Sequence, residues 1–469
     1  MWHIAKRELY DNLNSLRFAL ATVLLLALML TNAVVHLEEH PRQIRKYRHV
    51  VAEHQNYLKS QADESLYILA RKGPGKLYKK PSPLCFCAEG GETFLSEHAE
   101  GDYQWWGGGD VQSFWRLTYP SSTPNLDDVD PDVTKVDWGF IIGYVLSLIA
   151  LLFTFDSIST EREQGTLRLM LANSIPRHTV LIGKFLGALI SINIPFTLAV
   201  LANLLVISTS SDVHLGAGEW SRLGIIFFIA ILYTCLFLAL GLLVSARVQR
   251  SAVSLVILLL AWVTFVVFMP STLVSIAGGS SPLKSTSGFW ERSWQLQEAL
   301  EEKYYSRRFD EHVSLTERMQ ASGEYVIKDV EQQEQLHEGI LKQQISQVNR
   351  ARIITRISPV TIIQHLLESF AGTGFDRHLQ FLENVKVYAR QFRVFIVDTD
   401  RADPDSLHII GIREGMSEKP VSPEAVPKFE DTLSLSKDFN AAAVDLLLLT
   451  LFVMVLLSGA YLAFVRVEV

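Results

Sequence analysis

Six stretches of this chain are almost unbroken apolar runs, and its polar sequence is confined between them. The runs cover residues 18–37, 138–156, 180–208, 222–246, 251–277 and 440–465. A helix needs roughly 20 apolar residues to cross the hydrocarbon core of a bilayer. The pattern therefore predicts six transmembrane helices, of which 138–156 is the shortest. The first run follows Lys6, Arg7 and Arg17, as the apolar part of a signal peptide would. It is long, however, and no small-x-small site follows Thr31-Asn32-Ala33-Val34-Val35-His36, which favours an uncleaved span.

Residues 1–17 carry a different periodicity. Trp2, Ile4, Leu9, Leu13 and Leu16 share one helical face, with Lys6, Arg7, Glu8, Asp11 and Asn12 opposite. A basic amphipathic helix with a Trp beside a span fits an element lying in the headgroup plane. The alternative is a plain extension of the first span.

Two long polar segments, 38–137 and 278–438, read as separate soluble domains. The first begins with a helix over 36–71 that Gly73-Pro74-Gly75 stops. An irregular region follows, with Phe86, Phe94, Tyr103, Trp105, Trp106, Phe114, Trp115 and Tyr119. It fits a small core or a surface packed on the bilayer, with a ligand site as the alternative. An acidic linker over 121–135 leads to the second run. The other segment predicts two or three Glu-rich helices over 290–357, with a break near Ser322-Gly323. Ser358-Pro359 then opens a helix over 360–369, and Ala371-Gly372-Thr373-Gly374 closes it. Within a mixed stretch, 385–435, residues 392–397 predict a strand. The expected fold class is an all-α integral membrane protein with two mostly helical or mixed soluble domains.

Charge orients this arrangement. Lys and Arg cluster at the N-terminus, between runs two and three (Arg162, Arg168, Arg177, Lys184), between runs four and five (Arg247, Arg250) and at Arg466. Six spans put all four places on one side, which the positive-inside rule makes cytoplasmic. Both termini are then cytoplasmic and both large segments extracytoplasmic. The net charge of −7 is mild, and no basic patch with interleaved aromatics suggests nucleic acid.

Little in the chain suggests catalysis. Gly183-Lys184 lacks the upstream glycine of a phosphate-binding loop, and no Gly-x-Ser-x-Gly or His-Glu-x-x-His motif is present. The expectation is a non-enzyme with no catalytic residue, driven by a partner or a gradient. Asp156 and Asp445 fall near run ends rather than mid-bilayer, which argues against a proton relay. Asn193, Pro195, Asn203 and Pro270 read as kinks or helix–helix contacts. Cys235 reads as packing. Cys85 and Cys87 are separated by one residue, an awkward spacing for a mutual disulfide. With His98 they form a candidate metal set that needs two further ligands; a redox thiol and incidental packing are the alternatives.

The segment 157–179 carries the specific signal. Ser159-Thr160 can cap a helix whose positive first turn suits Glu161 and Glu163. Gly165 permits a bend or a close approach. Leu167, Leu169, Met170 and Leu171 offer an apolar grip, and Pro176-Arg177 redirects the chain into the third run. Such a helix can seat in a groove of a cytoplasmic partner; the plain alternative is a well-capped loop.

Glu161-Arg162-Glu163-Gln164-Gly165-Thr166-Leu167, with Pro176-Arg177 and Gly183-Lys184, resembles the coupling-helix signature of ABC-2 type (type V fold) ABC transporter permeases. The N-terminal helix and the six runs agree with it. Ile357-Ser358-Pro359-Val360 and the residues 366–375 resemble a subgroup with large extracytoplasmic insertions, related to gliding-motility and copper-enzyme maturation permeases. The resemblance implies a permease that dimerises with itself or a similar chain. It implies cytoplasmic ATPase subunits carrying MgATP, with no cofactor in this chain, and a multi-pass place in the inner membrane. Export or extraction of a substrate is the implied function. A mechanical transmitter acting on a periplasmic partner is the alternative within the class, and a receptor or scaffold the alternative outside it. An accessory protein in the periplasm or membrane fits either transport reading. By this resemblance Glu161, Arg162, Glu163, Gln164, Gly165, Thr166, Leu167, Arg177 and Lys184 belong to the ATPase interface, and Trp2, Lys6 and Arg7 to the connecting helix. Spans two and five are expected to face the dimer partner.

Overall fold

The computed structural model describes residues 2–89, 96, 98–102, 114–119, 136–167, 176–210, 213, 215–279 and 287–466. A short helix α1 (Trp2–Leu13) precedes the first long one. Among the described residues, six helices are long and apolar enough to cross a membrane: α2 (Leu16–Glu64), α4 (Trp138–Glu163), α5 (Arg177–Ser208), α6 (Ala217–Arg247), α7 (Ser251–Ile276) and α12 (Leu435–Val465). Between α2 and α4 lie α3 (Leu66–Lys72) and strands β1 (Gly75–Tyr78), β2 (His98–Asp102) and β3 (Arg116–Thr118). Between α7 and α12 lie α8 (Ser287–Phe309), α9 (Leu315–Thr355), α10 (Pro359–Ala371) and α11 (Gly374–Arg401). The chain is thus an all-α multi-pass membrane protein, with one small sheet among the described residues.

α2 is a single rod of 49 residues, with Pro41 inside it. At 1.5 Å per residue it is roughly 70 Å long, about twice what a bilayer needs. The first span and the helix predicted over 36–71 are therefore largely one element. Ser65 breaks it: its hydroxyl accepts a hydrogen bond from Ile68 N at 3.2 Å and restarts the chain as α3.

The spans share one apolar core, in which Leu25, Met29, Ile141, Ile142, Phe196, Tyr233 and Phe237 are buried. One polar pair inside it crosses between helices. Asn203 of α5 donates to Met29 O at 2.7 Å and to Asn32 Oδ1 at 2.9 Å in α2. α4 and α7 each contain a π-helical turn, at Ile141–Leu146 and Val263–Phe268. A π turn disturbs the regular bond ladder. Nearby groups reach into both turns. Tyr233 OH donates to Gly143 O at 3.0 Å, and Ser358 Oγ donates to Phe265 O at 3.3 Å. Just past the first turn, Trp262 Nε1 donates to Ser147 Oγ at 2.9 Å.

Gly241 sets how close α6 comes to α4. A Cβ there would lie 1.9 Å from Thr154 Oγ1 and 2.8 Å from Thr154 Cβ. Backbones approach closely in membranes where small residues face each other. Gly241→Leu is expected to push α4 and α6 apart and cost about 1–3 kcal/mol by overpacking. A fall in the thermal transition of the detergent-purified chain checks this, with Gly224→Leu, whose Cβ would meet nothing within 4 Å, as the neutral control.

The two polar segments, expected as separate domains, share one core. Leu66, Leu69, Trp115 and Leu117 from the first pack with Val326, Phe381, Phe392 and Ile396 from the second. Trp115 meets Phe392 edge-on at 5.7 Å, and the Arg393 guanidinium lies 4.6 Å from the centroid of Trp115. Backbone bonds join them as well: Val421 N donates to Ala62 O at 2.8 Å and Leu66 N to Lys419 O at 2.9 Å.

Three expectations in these segments are corrected. Residues 392–397 lie inside α11, where the alternate pattern Phe392, Phe395 and Ile396 is a helical stripe on the shared core. The break expected at Ser322-Gly323 falls instead at 310–314. Gly323 is mid-helix and buried, and a Cβ on it would meet Ile409 Cγ2 at 2.6 Å. α10, placed in the outer domain, is embedded in the span core through Ile362, Ile363, Leu366, Leu367 and Phe370. Pro359 sits in the first turn and Gly372 is left-handed at φ +67°, as expected, but the Ser358 side chain makes no capping bond and donates to Phe265 O instead. Phe94, Tyr103, Trp105 and Trp106, the linker 121–135, and Arg168, Leu169, Met170 and Leu171 lie outside the described residues.

Candidate coupling site

The helix ends nearest α1 converge on the segment that leaves α4. There α4 unwinds into a turn over 155–158 and closes with the helical turn Ser159–Glu163. Ser245 of α6 fastens this turn: its Oγ accepts from Ile158 N at 3.0 Å and from Ser159 N at 3.1 Å. Asp156 pairs with Arg17 of α2 at 2.8 Å, and Arg17 also sits 4.8 Å over the Phe155 ring.

Lys184 is the hub. Its side chain is 2% exposed, and its ammonium donates to Glu8 of α1 and, at 2.8 Å, to Glu161. One buried cation thus ties α1, the end of α4 and the start of α5. A buried ammonium needs such partners, because leaving it unpaired in a dry site is costly. Glu163 ties the segment to α7. Its carboxylate accepts from Ser251 N at 3.1 Å and Ser251 Oγ at 3.0 Å, at the positive N-terminal end of that helix. Arg177 caps the far end of α12 by donating to the carbonyls of Phe464 (3.3 Å) and Val465.

Gly165 turns the chain with φ +72°, a conformation that a Cβ disfavours. A Cβ there would meet nothing within 4 Å, so glycine serves the backbone and leaves the surface open. Glu163, Gln164, Gly165 and Thr166 are exposed, and Arg162 is half-buried beside them.

Two of the residues expected at a partner interface are buried within their own chain. Lys184 is enclosed by its two carboxylates. Leu167 is buried with Ile158, Val180, Leu181 and Leu242 and grips its own chain. The N-terminal helix is also turned relative to expectation. Ala5 is buried, and Glu8 and Asn12, assigned to the water-facing side, point inward. Asn12 Nδ2 donates to Ser191 Oγ at 3.1 Å. The helix sits so close that a Cβ on Gly187 would lie 2.6 Å from Glu8 Cβ. Trp2, Lys6, Arg7, Leu13 and Leu16 are exposed. Sequence gave no sign of Glu8, Ser245 or Ser251 as partners; a polar residue on an otherwise apolar stripe, as at Lys184, was the available signal.

The opposite ends of the spans carry a second set of ion pairs around α10. Arg222 pairs with Asp438, whose carboxylate also accepts from Gln380. Arg356 binds Asp445 through Nε at 2.7 Å and Nη2 at 3.3 Å. Arg222 Nη1 also donates to Phe370 O at 3.2 Å, near the end of α10. Asp445 is thus the anchor of an ion pair rather than an isolated charge.

The cysteine set is rearranged. Cys87 is fully buried, and burial, with Cys85 and Asp137 beside it, pushes its thiol well above the usual range. His98 lies on β2, 3.3 Å from Glu100 and stacked on Tyr78 at 5.3 Å. Cys85 instead faces His36 and His40.

Six apolar helices, with a fastened turn at one end of the bundle and α10 buried at the other, describe a multi-pass membrane protein. The profile described as ABC-2 family transporter protein matches residues 2–469, and the chain belongs to that family. It is also similar to the probable ABC transporter permease protein NosY of Pseudomonas aeruginosa, 35% identical over 139 residues, which are 28% of this chain and 48% of that protein. The protein of the same name from Stutzerimonas stutzeri is 31% identical over 137 residues, again 28% of this chain and 48% of the relative. The chain spans about half the length of the curated relatives it matches.

Proposed function

We propose that this chain is the membrane subunit of an ABC transporter in which a separate cytoplasmic ATPase, carrying MgATP, drives export or extraction of a substrate at the inner membrane. The observation that carries the reading is the exposed turn Glu163-Gln164-Gly165-Thr166, fastened to four helices through Lys184, Ser245 and Glu163. In this reading a push on that turn passes directly to α5, α6 and α7, and to α1 through Lys184. In this reading the turn is the contact for the ATPase, and both termini lie on its side of the membrane. α7 supplies the surface for a second permease copy. Only 17% of its most apolar window is buried, against 61% for α4, so α7 is the better candidate of the two.

A mechanical transmitter without a crossing cargo is the second reading, and α10 favours it. This helix belongs by sequence to the soluble region yet is buried among the spans, with ion pairs at both ends. Movement of the spans would pass through it into the shared soluble core.

Gln164→Trp tests the coupling reading, since the side chain is exposed and the fastening bonds do not involve it. The expected result is an unchanged thermal transition of the purified chain with loss of the co-purifying ATPase or of its stimulation. Full ATPase binding and stimulation in this variant would remove the turn from the interface.

A further inference from the structure

We infer that His36, His40 and Cys85 form a binding site for a single d10 metal cation, Zn2+ or Cu+, where the first span leaves the apolar core. The two histidines stand one helical turn apart on α2, so both project from one face. Their rings stack with centroids 4.8 Å apart. Cys85, from the loop 82–89, brings its Sγ within 3.6 Å of His36 Nδ1 and 3.7 Å of His40 Nδ1. All three ligand atoms lie within 4.8 Å of one another.

These distances suit a cation. With Zn–S near 2.3 Å and Zn–N near 2.05 Å, a tetrahedral angle places S and N about 3.6 Å apart. A thiol has one proton, and two imidazole nitrogens face it. A thiolate bound to a cation satisfies all three atoms at once. Thiolate and imidazole together select Zn2+ or Cu+ over hard cations. Three protein ligands leave a further coordination position, and the cleft at the site is also lined by Glu39, Gln43 and Glu89. His36 Nε2 is buried without a partner, and the edge of Phe86 packs on that ring at 5.0 Å.

The site lies on a junction. Asn32 donates to Phe86 O at 3.1 Å and Val136 O at 2.8 Å. Trp138 N and Gly139 N, at the start of α4, donate to Phe86 O and Cys87 O. Thr373, just past α10, donates to Ala88 O at 2.7 Å. A cation between Cys85 and α2 would pin the first span to the loop that touches both α4 and the end of α10.

The test uses the full chain in detergent after chelator treatment. Co2+ titration is expected to give a thiolate-to-cobalt charge-transfer absorption at one equivalent, displaced by Zn2+. Competition with a Cu+-specific chromophoric chelator under reducing conditions measures Cu+ in parallel. Whichever ion binds at one equivalent with the higher affinity identifies the cation. Cys85→Ser and His40→Gln are expected to weaken binding more than about a hundredfold, since even groups behind the ligands are worth 10–100-fold. Cys87→Ser and His98→Gln should leave it unchanged. Bound metal should also raise the thermal transition of the parent chain and not that of Cys85→Ser. Cobalt spectra without thiolate character, or equal affinities in the parent and a Cys85→Ser variant that melts normally without metal, would overturn the assignment.

Discussion

Arg377→Met is expected to destabilise the soluble region by on the order of 3–5 kcal/mol, the range for removing one partner of a buried ion pair. The side chain of Arg377 is 2% exposed and that of Asp431 is fully buried. Arg377 binds both carboxylate oxygens and also donates to Lys80 O at 3.2 Å. Asp431 further accepts from Asn384 Nδ2 at 3.0 Å and Lys80 N at 2.8 Å. The pair therefore joins the strand region of the first polar segment to α11 and to the approach of α12. Methionine fills much of the volume but leaves a buried carboxylate with two neutral donors and no cation. Protease accessibility of the 402–434 region and a fall in the thermal transition report the loss. Arg377→Met with Asp431→Asn should recover part of it, because the residual cost then is packing rather than an unpaired charge. Equal losses in the single and double variants would show that the ion pair contributes no coupling.

Lys184→Met is the second large effect. Its loss leaves Glu8 and Glu161 facing one another without a cation. The carboxylates are about a quarter exposed, with 23% side-chain accessibility each, so water screens part of the penalty. A cost of about 3 kcal/mol, at the low end of the buried-pair range, is expected. Because this group joins α1 to the end of α4, the functional loss should exceed the stability loss. ATPase stimulation is expected to fall even at temperatures where the variant remains folded. The triple variant Glu8→Gln, Glu161→Gln and Lys184→Met should regain stability by removing the unpaired charges, yet not regain coupling. Recovery of both would make the cluster a stability feature alone.

The six spans were legible because the need to cover backbone with apolar residues acts locally. Any helix in lipid must carry roughly 20 such residues in a row. The caps of α10 were legible for a related reason. Pro359 and Gly372 act through their own backbone angles, so their meaning does not depend on neighbours far away. The turn after Glu163 was also marked in the sequence, by a glycine that the structure holds at φ +72°.

The sequence by itself thus determined the helical membrane class, the number of spans and the position of the fastened turn. The tertiary structure alone decided which residues meet. Periodicity gave 392–397 as a strand because short apolar runs look alike in both states; only packing against Trp115 and Leu66 made it helix. The same holds for Lys184, a surface cation by type and a buried hub by position. It also holds for Cys85, whose partners His36 and His40 lie 49 and 45 residues away rather than beside it. Local sequence sets caps and special backbone angles, because those are properties of adjacent bonds. Pairing of charges, closing of a shared core and assembly of ligands depend on distances through space, and those exist only once the chain has folded.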